Sequence, residues 1–215
     1  MNKFILLGSL SLLLNICFLS LTPIETFAAG KSEISSVAQQ RFAVIDGLDV
    51  QNHWSAGIHV NWETGDPDGK PVSSEGKHTH CSAFAAAAAK SVGVYLLRPP
   101  EHGQIMLANA QQEWLLDDSK GHGWKKLANG IEAQTAANQG QLVLASYENP
   151  NEDKPGHIAI VRPSDKPVSL IETEGPQITQ AGLENYQSTS IVVGFAGHPK
   201  AFAENQILYF THDVP

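Results

Sequence analysis

Two side chains far apart in the sequence could work as a pair: the thiol of Cys81 and the imidazole of His157. The chain has 2 cysteines, Cys17 and Cys81. Cys17 lies in an N-terminal apolar run that reads as an export signal, so cleavage would leave Cys81 as the one thiol, with no internal disulfide partner. Exported proteins usually pair their cysteines or lack them. A lone thiol therefore asks for a reason. It is either a nucleophile or a small, buried, inert core residue.

The surroundings of Cys81 bear on that choice. A long Gly-, Asp-, Pro- and Ser-rich stretch from Glu63 ends at Thr79-His80, and Cys81 opens the run Cys81-Ser82-Ala83-Phe84 followed by alanines to Ala89. Alanine has the highest helix propensity, so the run predicts a helix, with Thr79 as its cap and Gly93 as its stop. Cys81 would then lie in the first turn, where unpaired N–H groups and the helix dipole concentrate positive potential. That predicts a thiol with raised reactivity at neutral pH and a ready oxyanion site.

A thiol nucleophile needs a base, and the base needs a partner that orients it. His157 follows Pro155-Gly156 and opens the apolar run Ile158-Ala159-Ile160-Val161, which predicts a central strand with the imidazole at its end. The segment Val168–Glu174 alternates and predicts a strand pairing back onto it, with Leu170, Glu172 and Glu174 on one face. Glu172 is then the candidate to orient the imidazole, and Glu174 is the reserve. His80 is a candidate to contact the thiol or a substrate. Taken singly, each of these has a plain alternative as a structural histidine or a solvated strand face.

Further elements position this set. Residues 31–41 read as a polar leader or short helix, and Phe42–Ile45 and Ile58–Trp62 as short strands. Helices are predicted over Gln104–Leu116 and Ile131–Asn138. Strands are predicted over Gln141–Tyr147, Ile191–Phe195 and Gln206–Phe210. Helices followed by consecutive strands imply an α+β fold with a mainly antiparallel sheet.

The N-terminus begins with Lys3, continues with an apolar run to Leu21 and exits through Thr26-Phe27-Ala28-Ala29, the order of a secretory signal cleaved after Ala28. The organisation expected is a signal over 1–28, a leader and long loop over 29–78, and a catalytic domain over 79–215, secreted or periplasmic. Lys3 and Glu25 cancel, so cleavage leaves the formal net charge at -8. An acidic exported chain without a basic cluster argues against a nucleic-acid partner and, after signal removal, against a membrane partner.

Cysteine at a helix start, then Gly156-His157-Ile158-Ala159-Ile160-Val161, then a turn back to an acidic residue resembles the CHAP and NlpC-type branch of the papain-like superfamily. The resemblance spans about residues 79 to 175. It implies a papain-like α+β fold with the nucleophile at a helix N-terminus packed on the sheet. It also implies an exported amidase or peptidase acting on peptidoglycan peptides without a cofactor. On the matching positions, Cys81 is the nucleophile, His157 the base and Glu172 the third residue.

Rival readings stay open. His78, His80 and Cys81 offer zinc-type ligands, but no second cysteine supports them. Asp66-Pro67-Asp68-Gly69 lacks the spacing of a calcium loop and reads as a turn. Trp54, Trp62, Trp114 and Trp124 could line the groove of a non-catalytic wall-binding module, although isolated tryptophans are more often core residues. An acyltransferase would use the same thioester chemistry.

Overall fold

A computed structural model describes residues 33–72, 78–117 and 122–215. The proposed signal over 1–28, including Cys17, lies outside them. Among the described residues no helix is long and apolar enough to cross a membrane.

The architecture is α+β. Helices α1 (Ser36–Asp46), α2 (Cys81–Ser91) and α3 (Leu107–Leu116) precede β1 (Lys125–Leu127) and α4 (Gly130–Asn138). Strands β2 (Leu142–Tyr147) and β3 (His157–Val161), α5 (Val168–Glu174), β4 (Gln177–Gln180) and β5 (Tyr186–Ser190) follow. The chain ends with α6 (Ile191–Gly194), α7 (Pro199–Ala203) and β6 (Leu208–His212). The strands form one 6-stranded sheet in the order β1-β6-β2-β3-β4-β5, and every neighbouring pair is antiparallel.

Both faces of the sheet centre are covered, which is why β2 and β3 are buried along their whole length. On one face Leu142, Leu144, Ile158, Ile160 and Phe210 pack with α1, α2 and α3. On the other, Val143, Ala145, Ala159, Val161 and Tyr209 pack with α4, α6 and α7. Helix α2 is buried at every position from Cys81 to Ala89. Its alanines let α1, α3 and the sheet approach from different sides, a contact larger residues would hold apart.

Several expected elements differ. Phe42–Ile45 is the second half of α1 rather than a strand. Ala38, Phe42 and Ile45 share one buried face at helical spacing, and Ser35 caps the helix by accepting the Ala38 N–H at 3.0 Å. Ile58–Trp62 contributes only an isolated bridge, Val60 to Pro67. The expected strand over Val168–Glu174 is α5. Ile171 is its one buried residue, Pro167 opens it and Gly175, at φ 75°, ends it. Strand pairing with β3 falls instead to β4, in a segment not expected to be a strand. The Ile191-Val192-Val193 run is also helical: the Ser190 hydroxyl accepts the Val193 N–H, and only Ile191 is buried.

Residues before Cys81 belong to the same packed unit as those after it, because α1 contributes Phe42 and Ile45 to the core of α2. Arg41 secures it further by donating to the Gly140 and Val214 carbonyls at 2.8 and 2.7 Å.

Candidate functional site

Cys81 is the first residue of α2, with His80 as the cap position. Thr79 is not the cap, and no side chain caps this end. The leading N–H groups are thus free for other acceptors. The N–H groups of Cys81 and Ser82 and the Ser82 hydroxyl lie near the sulfur and favour its ionised form. Gln111 holds this turn from behind, its amide donating to the Ser82 carbonyl at 3.1 Å and the Leu97 carbonyl at 2.9 Å.

The backbone N–H of Ile158, the residue after His157, acts on the sulfur in the same sense, so the thiol lies close to it. That contact locates the thiol. Amide directions alternate along a strand. The Arg162 N–H donates to Gln177 O beside β4 at 2.9 Å, so the Ile158 N–H faces the β4 side too. Pairing of β3 with β4 runs through Val161↔Ile178 and Ile160↔Thr179 and ends there; the register shift near Gln180 lies on the other side of β4, in its pairing with β5. The thiol lies beside the start of β3, beyond the last residue pair between β3 and β4.

His157, the first residue of β3, turns to the other face of the sheet. Alternation turns its ring to the face of Ala159 and Val161, where Phe195 meets it edge-on at 4.6 Å and His198 stands at 6.1 Å. Its Nε2 lies 2.7 Å from Gln180 Oε1. An amide oxygen only accepts, so Nε2 carries the proton and Nδ1 keeps its lone pair. The thiol thus lies on the α2 face of the sheet and the imidazole on the opposite face, and neither is a partner of the other.

The motif residue before His157 is fixed by sterics. A Cβ on Gly156 would fall on the Tyr147 carbonyl and lie 2.5 Å from Asn109 Oδ1. That oxygen accepts the Gly156 N–H at 2.6 Å, and the Asn109 amide donates to Lys154 O at 3.1 Å. Asn109 on α3 therefore sets where β3 begins.

The remaining sequence candidates lie elsewhere. Glu172 is exposed on α5, which displaces it from the strand that was to carry it. Glu174 pairs with Lys166 at 3.0 Å. The position beside the imidazole belongs to Gln180, 2% exposed, which the sequence reading missed because β4 itself was missed. The available signal was the Gly175-Pro176 break before a short alternating Gln177-Ile178-Thr179-Gln180 run. His80, expected beside the thiol or a substrate, turns its Nε2 onto the Ile58 carbonyl at 2.8 Å and also contacts the Ser55 backbone, holding the preceding loop. Asp66 and Asp68 engage His53 at 3.0 Å and His59 at 2.8 Å. Among the described residues no group of three or more His, Cys, Asp or Glu side chains is arranged to hold a metal ion. Trp54 is fully buried against Phe84, and Trp114 is buried with His122 stacked on it.

The electrostatics correct one expectation. Burial pushes the Cys81 thiol above its ordinary 9.0, against the opposing pull of its N–H donors. Burial likewise pushes His157 below its ordinary 6.5, only partly offset by Gln180. Desolvation outweighs the helix terminus, and the resting pair at neutral pH is thiol and neutral imidazole. With Cys81 5% and His157 7% exposed, the site is closed in this state.

No family model and no curated protein matches the chain.

Proposed function

We propose that the protein is a cysteine hydrolase of papain-like type, exported from the cell and acting on an amide bond in peptidoglycan peptides. The observation that carries this reading is the tethered imidazole: His157 Nε2 donates to Gln180 Oε1 at 2.7 Å, leaving Nδ1 unprotonated, while Cys81 at the start of α2 lies against the next residue of β3, Ile158. The reading revises the expected set to Cys81, His157 and Gln180, with Gln180 replacing Glu172.

The chemistry follows from the resting protonation. Because the pair is neutral, attack and deprotonation are coupled: Nδ1 of His157 takes the Cys81 proton as the sulfur adds to the amide carbonyl. The N–H groups of Cys81 and Ser82 face the sulfur, so they are placed to stabilise an oxyanion formed beside it. Imidazolium protonates the leaving amine as the C–N bond breaks, giving a thioester. Water, deprotonated by the same imidazole, releases the acid and restores the thiol. Gln180 fixes the tautomer throughout, and as a neutral amide it does so without placing a carboxylate beside a closed site.

Digestion of purified peptidoglycan, with products identified by mass spectrometry, tests this. Wild type should release new amine and carboxylate ends. Cys81→Ala and His157→Ala should each abolish the products, and the double variant should be no worse than either single one. Identical products from wild type and Cys81→Ala would reject the hydrolase.

A further inference from the structure

We propose that Gly194, the last residue of α6, is a positioning residue for His157: the side chain it lacks is what allows Gln180 to hold the imidazole. The proposal rests on the reading of Cys81, His157 and Gln180 as one set, and it adds a residue that touches none of the reacting atoms.

The space at Gly194 is already taken. An ideal Cβ there would lie 2.6 Å from Gln180 Oε1, 3.1 Å from Gln180 Cδ and 2.5 Å from Ile178 Cδ1. Such separations are not tolerated, so something must move. Both neighbours are ends of rotatable side chains, so the backbone need not shift. The atom displaced is the same oxygen that accepts the His157 Nε2–H at 2.7 Å. A methyl group at position 194 therefore acts on the tether first.

The backbone gives no competing reason for glycine. Gly194 ends α6 without a left-handed φ, so its backbone would accept alanine. Its glycine is explained by what lies above its Cα. On the other side of the amide is Gly182, whose Cβ would come 3.1 Å from Gln180 Nε2 and 3.8 Å from His157 Cε1. Gln180 thus lies between two residues without side chains. Gly197, three residues beyond Gly194, has nothing within 4 Å of an added Cβ and provides a matched control.

Helix α6 links this contact to the rest of the wall. Ser190 caps its start, and the next residue after Gly194 is Phe195, packed edge-on against the imidazole. The short helix holds the oxygen by absence and the ring by contact. Val192 and Val193, at 44% and 46% exposure, face away.

The test compares Gly194→Ala, Gly182→Ala and Gly197→Ala in the full chain. The first readout needs no substrate: the Nε2–H proton of His157 by nitrogen-15 NMR. Gly194→Ala should lose the protected signal, Gly182→Ala should shift it, and Gly197→Ala should leave it as in wild type. On peptidoglycan peptides, Gly194→Ala should lower kcat by about 100-fold with KM little changed, the scale expected of a small misplacement at a reacting centre. Retention of the wild-type signal in Gly194→Ala would overturn the proposal. If crowding at Ile178 destabilises that variant, Gly194→Ala with Ile178→Val relieves the core while leaving the oxygen displaced. That double variant should fold and still lack the signal; its return would place the effect in the core and also overturn the proposal. Loss of the signal in a series where wild type itself cleaves nothing would uphold the positioning role and remove the hydrolase reading instead.

Discussion

The two sides of β3 near Cys81 and His157 are built differently. The thiol side consists of an 11-residue helix, α2, laid on a fully buried strand, β3. The imidazole's far side consists of a 4-residue strand, β4, and a 4-residue helix, α6, joined through the edge strand β5. Neither short element could persist alone. The first side places a thiol by rigid packing. The second places one amide oxygen through contacts whose tolerance is a few tenths of an ångström. Disturbing the second side should therefore cost function before it costs stability, while disturbing the supports of the first should cost both.

The largest contrast should come from the two candidate partners of His157. Gln180→Ala removes the acceptor on Nε2 and frees the imidazole to rotate and change tautomer, so kcat/KM should fall about 100-fold. Glu172→Ala, exposed on α5, should leave it unchanged. Gln180→Ala should also lower the thermal midpoint, because the buried His157 Nε2–H loses its acceptor, while Glu172→Ala should stay near wild type. Comparable losses in the two variants would restore Glu172 and undo the comparison.

Asn109→Ala probes the supports. It leaves the Gly156 N–H, buried and bonded at 2.6 Å in the native chain, without an acceptor. Unsatisfied buried donors cost about 1–3 kcal/mol, so the urea midpoint should drop, and activity should drop with it because β3 starts at His157. A variant as stable as wild type would mean that Asn109 follows the strand end and does not set it.

The same division governs what was legible in the sequence. The thiol side carried strong local signals: an alanine run, a loop ending at its start, and a glycine before a histidine and four apolar residues. Those signals placed Cys81 at a helix start and His157 at a strand start. The other side misled because β propensity was read where caps should have been. Val168-Ser169-Leu170-Ile171 alternates, yet Pro167 and Gly175 bracket a helix, and Ser190 announces another at Ile191-Val192-Val193. With β4 hidden, an acidic residue on α5 was given the part that Gln180 takes. The low thiol pKa was misjudged for a different reason: the helix terminus is visible in sequence, but burial of the sulfur is a property of packing.

That burial makes the smallest of the expected effects, a dependence of stability on pH with no substrate involved. His157 is held below its ordinary 6.5, so as pH falls through 6.5 the unfolded chain takes a proton that the folded chain resists. The unfolded state then binds more protons, and stability declines with falling pH until the folded imidazole also titrates. His80, likewise held below 6.5 chiefly by burial, adds a decline of the same sign. Cys81 acts at the opposite end: its thiol is held above 9.0, so as pH rises past 9.0 the unfolded chain releases a proton that the folded chain keeps, and stability again falls. Maximum stability should therefore lie between the two limits. Urea unfolding across pH 5 to 10 measures both limbs. His157→Gln and His80→Gln should each flatten the acid limb, and Cys81→Ser the alkaline one. An acid limb unchanged in both histidine variants would mean that neither imidazole is held neutral by the fold, and coupled deprotonation would give way to attack by a preformed thiolate.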